Sequence, residues 1–161
     1  MRTLLPGRAG LPAGPAGSPS RQRLTPLLRV TLVCLCLSAL PIGLQATLGP
    51  RSFYDGFPLG RSWVELLPPY NEHLIRDVGG FYLAFTILFV WAAVTLARAL
   101  VVPLCVAWAV FSLAHGLFHV LHLDGFSPGD AIAEIGGLAA VLVLPLLAIW
   151  VVRRDVRDLA V

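Results

Sequence analysis

The sequence predicts an all-α fold in which a four-transmembrane-helix bundle follows a disordered N-terminal tail. Hydrophobic residues make up 57% of the 161 residues and charged residues only 13%, whereas a typical soluble domain has about 25% charged residues. Four separate apolar stretches are each long enough to cross a hydrocarbon core of about 30 Å as a helix. We therefore expect a multi-pass protein of the cell membrane, with the lipid bilayer as its main contact.

The apolar stretches divide the chain into four spans between two tails. Residues 1–26 are rich in Pro, Gly, Ala and Arg and show no periodic apolar face, which indicates a disordered tail. We place the spans at 27–48, 78–97, 100–123 and 131–152, with a C-terminal tail at 153–161. The short turn between the second and third spans makes them antiparallel neighbours. The first stretch could instead be a signal peptide, but it is long for the apolar part of one, so we favour a retained span.

The helix of the second span is expected to start before the span itself. Asn71 follows two prolines and suits the N-cap position, with Glu72 in the first turn. Residues four apart on a helix lie on the same face, so Glu72 can pair with Arg76, and His73 with Asp77. A carboxylate that orients an imidazole is also common around metal sites.

The distribution of charge predicts the orientation in the membrane. If both termini and the turn between the second and third spans share one side, that side has nine arginines and two aspartates, a net charge of +7. The other side has three arginines and seven acids, a net charge of −4, and the two values together give the chain's +3. Basic residues favour the cytoplasm, so both termini are expected to be cytoplasmic. The arginines form no basic patch with aromatic platforms, so nucleic acid is not an expected partner.

Three histidines stand together in the third span. His115, His119 and His122 are spaced by four and three residues, which places them on one face of an apolar helix. Ionisable groups inside a span are costly and tend to mark functional sites. The outer two are about 10.5 Å apart along the axis, so a metal site would use two neighbouring histidines and a ligand from another helix. The candidates for that ligand are Glu134, Asp77 and His73.

Glu134 is the acidic residue that the start of the fourth span explains least. Ser127 and Asp130 have the spacing of a capping box, which is sufficient to explain Asp130. Glu134 lies one turn deeper in the apolar stretch, on the same helix face. Gly136 and Gly137 would let another helix pack closely there. We therefore expect Glu134 to face inward, beside the histidines.

The long loop before the second span is rich in aromatic residues: Phe53, Tyr54, Phe57, Trp63 and Tyr70. Aromatic residues next to spans usually seat a loop in the headgroup layer, and we favour that interpretation. A lid over the histidines is the alternative.

Residues from about 50 to 135 resemble a group of small bacterial four-helix membrane proteins, broadly similar to DoxX-like bundles. The resemblance rests on residues 53–58 (FYDGFP), 69–79 (PYNEHLIRDVG) and 115–124 (HGLFHVLHLD). It implies the four-helix topology and draws attention to His73, Asp77 and the three histidines of the third span. It implies no activity.

Three functional hypotheses remain open at the level of sequence. The first is a His/carboxylate site on the outer side that binds a transition metal ion, for which zinc, copper and iron are all compatible. The second is an accessory subunit without a ligand, whose histidines only fix helix register and whose outer face docks a membrane partner. The third is a small proton-coupled permease component, which would need a homo-oligomer. No catalytic residue is assigned, since no zinc-protease, nucleophile-elbow, C-x-x-C or phosphate-loop motif occurs.

Overall fold

The computed structural model describes residues 19–67 and 69–157, which form helices and turns without any strand. The all-α prediction is therefore confirmed for this part of the chain. Its five helices are α1 (Pro19–Leu48), α2 (Pro50–Gly56), α3 (Glu72–Thr95), α4 (Arg98–Val120) and α5 (Pro128–Arg157).

Four of these helices are long and apolar enough to cross a membrane, which supports the predicted multi-pass membrane protein. The short helix α2 was not predicted. The helices also begin and end at residues other than the predicted ones. Helix α1 already starts at Pro19, a residue type that suits the first helical position, inside the predicted tail 1–26. The rest of that tail lies outside the described residues. At the other end of the chain, α5 continues into the predicted tail 153–161 as far as Arg157, and the residues after Arg157 also lie outside the described residues.

Helices α1 and α3 pack most closely because glycine stands at their crossing. A Cβ atom at Gly79 would lie 2.7 Å from the backbone nitrogen of Thr47, and one at Gly43 would lie 3.0 Å from that of Leu83. At each end of this antiparallel pair, an arginine of one helix donates to a carbonyl in the last turn of the other helix. At one end, the Arg76 guanidinium of α3 donates to Thr47 O of α1 at 2.5 Å. Arg29 donates in the same way at the other end, to a carbonyl of α3. These bonds satisfy carbonyls that a helix end leaves free.

Helices α3 and α4 meet in a different way, through large rings. Trp108 of α4 contacts three rings of α3, with centroid distances of 5.5 Å to Tyr82 and 5.1 Å to both Phe85 and Phe89. Phe111, one turn further, lies 4.9 Å from Phe81. The rings hold the two backbones apart, so these predicted neighbours are separated by a layer of side chains. Helix α1 also packs against α5, and α5 against α4, which closes the bundle in the order α3–α1–α5–α4.

Candidate functional site

A cavity of about 510 Å³ opens at the end of the bundle where α1 and α4 finish and α3 and α5 begin. We call this end the histidine end. Side chains of all five helices and of the segment between α2 and α3 line the cavity, and most of them are aliphatic or aromatic. The polar members of the lining, apart from tyrosine and tryptophan, are Ser38, Asn71, His115, His119 and Glu134.

The polar centre of the cavity wall is a pair formed by His119 of α4 and Glu134 of α5. His119 Nδ1 lies 2.7 Å from Glu134 Oε1, and the two side chains are only 11% and 6% exposed. The contact has an ion-pair distance, but its geometry falls short of a well-aligned hydrogen bond. Glu134 Oε2 is buried and has no hydrogen-bond partner among the residues that the structure describes. The prediction that Glu134 faces inward beside the histidines is confirmed, and the pair is left partly unsatisfied.

His115 connects this pair to the aromatic layer between α3 and α4. Its ring stacks on Phe111 at a centroid distance of 5.4 Å and meets the His119 ring edge-on at 4.5 Å. A continuous column of rings therefore leads from Trp108 in the core to His119 at the cavity wall. A Cβ atom at Gly116, beside His115, would meet none of the described atoms within 4 Å, so no helix of the described residues packs against this position.

His122 does not share the helix face of the other two histidines, so that part of the prediction is wrong. Helix α4 ends at Val120, three residues before the predicted end of the span, and the chain turns towards Gly125, whose φ is +89°. His122 is exposed, stacks on the Phe118 ring at 4.1 Å and has its Nδ1 at 2.7 Å from Phe118 O. Spacing alone predicts a common face only as long as the helix continues.

His73 and Asp77 form the predicted pair on α3, but away from the cavity. His73 Nε2 lies 3.3 Å from Asp77 Oδ2, and both side chains are exposed. Within the described residues there is no group of three or more His, Cys, Asp and Glu side chains that could hold a metal ion. The six predicted ligands therefore do not converge: the structure brings together His115, His119 and Glu134 and leaves the other three apart.

The described residues between α1 and α3, 49–67 and 69–71, lie at the histidine end, and we call them the cap. Phe53 of α2 is buried against Ala46 of α1 and Ile75 of α3. Phe57 and Trp63, further along the cap, line the cavity together with Phe53. These three rings therefore form part of the same cavity wall as His115 and His119, and headgroup anchoring and a lid both stay predictions.

Two contacts attach the cap to the start of α5. Arg61 forms an ion pair with Asp130, and the Trp63 ring lies 6.2 Å from that of Phe126. Asp130 also has the predicted capping role, since its backbone nitrogen lies 3.2 Å from Ser127 Oγ and its carboxylate accepts from the same hydroxyl at 2.7 Å. Asp130 thus joins the cap to the bundle in addition to its part in capping the start of α5.

The other edge of the cap is held by Tyr70. Its ring meets Tyr54 edge-on at 5.4 Å and has the Arg51 guanidinium 5.0 Å from its centre. Burial, followed by the nearby Glu72 carboxylate, raises the pKa of the Tyr70 phenol. The phenol therefore stays protonated at neutral pH and can donate to Glu72, 3.4 Å away.

Two groups were misjudged or missed from the sequence. Gly136 and Gly137 were expected to admit a closely packed helix, but a Cβ at either would meet nothing within 4 Å. Gly137 instead leaves room in the wall of the cavity. Trp108 was missed: it is buried, it lines the cavity, and its indole nitrogen has no hydrogen-bond partner within the described part of the chain. Tryptophan prefers the membrane interface, so its position deep within a span is the sequence signal by which Trp108 could have been found.

The comparisons with known proteins add no relative from which a function could be transferred. The chain matches no protein-family model, no curated protein and no solved structure. The cavity and its His119–Glu134 pair are therefore the features that bear on function.

Proposed function

We propose that this chain is an integral membrane protein that binds a lipid-soluble small molecule in the cavity at the histidine end, with the His119–Glu134 pair as its polar anchor. The pair in the wall of an otherwise apolar cavity is the observation that carries this proposal. Small-molecule sites are typically cavities of about 300–1,000 Å³ with mostly apolar walls and a few converging polar groups. The cavity of about 510 Å³ has both properties.

The unpaired carboxylate oxygen gives the site a preference for a particular kind of ligand. A buried polar atom without a partner costs about 1–3 kcal/mol, and Glu134 Oε2 is such an atom. A ligand with a hydroxyl or N–H group could remove that cost after a small movement of the side chain. A purely hydrocarbon ligand could not, and therefore the pair favours amphiphilic molecules over hydrocarbons.

We further propose that the histidine end faces the outside of the cell and that both termini are cytoplasmic. The arginine distribution supports this orientation, since nine of the twelve arginines fall on the side of the termini. The likeness to DoxX-like bundles is part of the proposal too, because it implies the same topology, but it adds no activity.

The geometry favours ligand binding over metal binding at this site. His119 Nδ1 already faces a carboxylate oxygen at 2.7 Å, and the nearest further imidazole, that of His115, is stacked on Phe111. His73, Asp77 and His122 lie elsewhere. Docking of an accessory subunit and proton-coupled transport stay predictions.

Two neighbouring glycines of α5 provide a matched test. Gly137→Leu would place a side chain in the cavity, whereas Gly136→Leu places the same side chain outside the cavity lining, and neither meets packed atoms at the Cβ position. The protein is purified with its native lipids in nanodiscs, extracted with organic solvent, and the co-purified small molecules are quantified by mass spectrometry, with metal analysis in parallel.

We expect a co-purified amphiphile in the wild type and in Gly136→Leu, and about a tenfold lower content in Gly137→Leu, which corresponds to about 1.4 kcal/mol of lost affinity. Equal content in all three proteins, or no enriched compound in the wild type, would refute the proposal. A metal present in the wild type and lost in His119→Ala would favour the metal hypothesis instead.

A further inference from the structure

We infer that the ligand is a membrane lipid or a lipid-like amphiphile that reaches the cavity sideways from the bilayer, through the space between α3 and α4, and places a hydrogen-bond donor against Glu134. This inference rests on the proposed ligand-binding function and names the class of ligand and its route. Three features of the cavity carry it: an open side, a covered end and a gradient of polarity along its length.

The open side follows from where the rings between α3 and α4 stop. Towards the histidine end, the last ring contact between the two helices is that of Phe81 with Phe111. Beyond it, the cavity lining includes Leu74 and Val78 on α3 and Phe118 on α4. These three side chains line the cavity and are nevertheless 59%, 37% and 39% exposed. They lie on spans that contact lipid, so the cavity reaches the lipid-facing surface between them.

The covered end follows from the cap. Phe57 and Trp63, both in the cap, form part of the cavity lining. The ion pair of Arg61 with Asp130 and the contact of Trp63 with Phe126 attach the cap to the start of α5. The direct route from water is therefore covered by attached side chains, while no comparable contact closes the side between Leu74 and Phe118 in the part of the chain that the structure describes.

The shape and polarity of the cavity match those of a lipid in the adjacent leaflet. On α4 the lining residues run from Trp108 to His119, eleven residues or about 16 Å along the helix axis. The His119–Glu134 pair lies at the histidine end, and aromatic side chains surround the deep end at Trp108 and Tyr82. A lipid likewise has its polar group near the membrane surface and its hydrocarbon chain towards the middle. A bound lipid can therefore keep the depth and orientation that it has in the bilayer.

The donor requirement follows from the unpaired Glu134 Oε2. A headgroup atom that only accepts hydrogen bonds, such as an ester carbonyl oxygen, would leave this carboxylate oxygen without a partner. A hydroxyl or a protonated amine would satisfy it. The site is therefore expected to select headgroups with a donor over those without one.

Quenching of Trp108 by bromine tests the route and the ligand class. In a protein with Trp63→Phe, Trp91→Phe and Trp150→Phe, Trp108 is the sole tryptophan, and it lines the deep end of the cavity. Trp63→Phe keeps a ring in the cap, and this protein is used once the extraction experiment finds in it the same content of bound molecule as in the wild type. In a first series, this protein is reconstituted into phosphatidylcholine vesicles with or without bromine on the acyl chains. In a second series, the bromine is on the acyl chains of a lipid with a hydroxyl or amine headgroup, which makes up a fraction of the vesicle.

Two matched variants on α3 separate the cavity from the outer surface. Val78→Phe narrows the open side, whereas Val90→Phe adds the same bulk at an exposed position of α3 that does not line the cavity. We expect a loss of Trp108 fluorescence in brominated vesicles that Val78→Phe and Gly137→Leu largely abolish and Val90→Phe leaves intact. The loss is expected at a lower fraction of brominated lipid when that lipid has a donor in its headgroup.

Two results would overturn the inference. Quenching that is equal in all variants would show that bromine acts from the outer surface only. No quenching in the parent protein would show that acyl chains do not reach Trp108. If the extraction experiment still finds a bound molecule lost in Gly137→Leu, ligand binding stands and only the lipid class and the lateral route fail.

Discussion

Replacing His119 by leucine removes the partner of Glu134 while the carboxylate stays in an apolar wall. Breaking a buried ion pair by removing one member costs about 3–5 kcal/mol in soluble proteins when the remaining charge stays buried. Glu134 can avoid part of this cost by taking up a proton. It is then a neutral polar group without a partner, which lowers the free energy of unfolding by about 1–3 kcal/mol. Polar contacts within membrane bundles are also worth less, about 0.6 kcal/mol on average and at most about 1.7. We therefore expect His119→Leu to lower the free energy of unfolding by about 1–2 kcal/mol.

The double-mutant cycle with Glu134→Leu isolates the pair. The double variant leaves no orphaned polar group, so we expect it to be more stable than His119→Leu alone and within about 1 kcal/mol of the wild type. His122→Leu is the matched control, because His122 is an exposed histidine outside the pair, and it should stay within about 0.5 kcal/mol of the wild type. Equilibrium unfolding in mixed micelles, followed by circular dichroism, measures all five proteins.

A coupling energy below about 0.5 kcal/mol would refute this reasoning, since independent sites add within that margin. The His119–Glu134 contact at 2.7 Å would then be a packing neighbour without energetic meaning, and the site would lose its polar anchor.

Three further predictions concern the elements that position the site. Gly79→Ala is expected to lower the free energy of unfolding by about 1–3 kcal/mol, because its Cβ meets the backbone of α1. Gly80→Ala, with open space around its Cβ, should raise that free energy by about 0.5–1 kcal/mol; the opposite order in chemical or thermal unfolding would contradict the close α1–α3 crossing. Arg61→Ala should speed amide exchange in the cap with less than about 1 kcal/mol of global destabilisation, and Arg98→Ala, which changes an exposed arginine at the start of α4 at the opposite end of the bundle, should not; equal exchange in both would show that the cap is not attached through Arg61. Asn71→Ala should lower the free energy of unfolding by about 1 kcal/mol, because α3 loses the N-cap bond from Leu74 N to the Asn71 side chain. The loss is measured as a lower melting temperature, and an unchanged melting temperature would rule that bond out as a stabilising cap.

Much of this architecture could be predicted because it depends on local composition. Length and apolar content fix the four long helices, since each must satisfy its backbone internally in lipid. The inward position of Glu134 follows from a single argument, that an acid one turn into an apolar span avoids lipid. The N-cap at Asn71 and the pairs on α3 follow from spacing along one helix.

The remainder depends on distances between helices, about which periodicity contains no information. Gly79 and Gly137 are the same residue type in similar spans, yet one lies against the backbone of α1 and the other in the wall of a cavity. The difference arises from the rings around Trp108, which hold α3 and α4 apart. His122 was misplaced because the end of α4 is determined by the turn that follows it rather than by the apolar pattern.

An experimental structure in a lipid nanodisc tests most directly whether the cavity beside His119 and Glu134 holds a lipid-soluble molecule. We expect elongated non-protein density that runs from the His119–Glu134 pair towards Trp108, with its polar end within hydrogen-bond distance of the Glu134 carboxylate. A cavity filled by the protein's own side chains, with α3 and α4 in close contact beside Phe118, would contradict it.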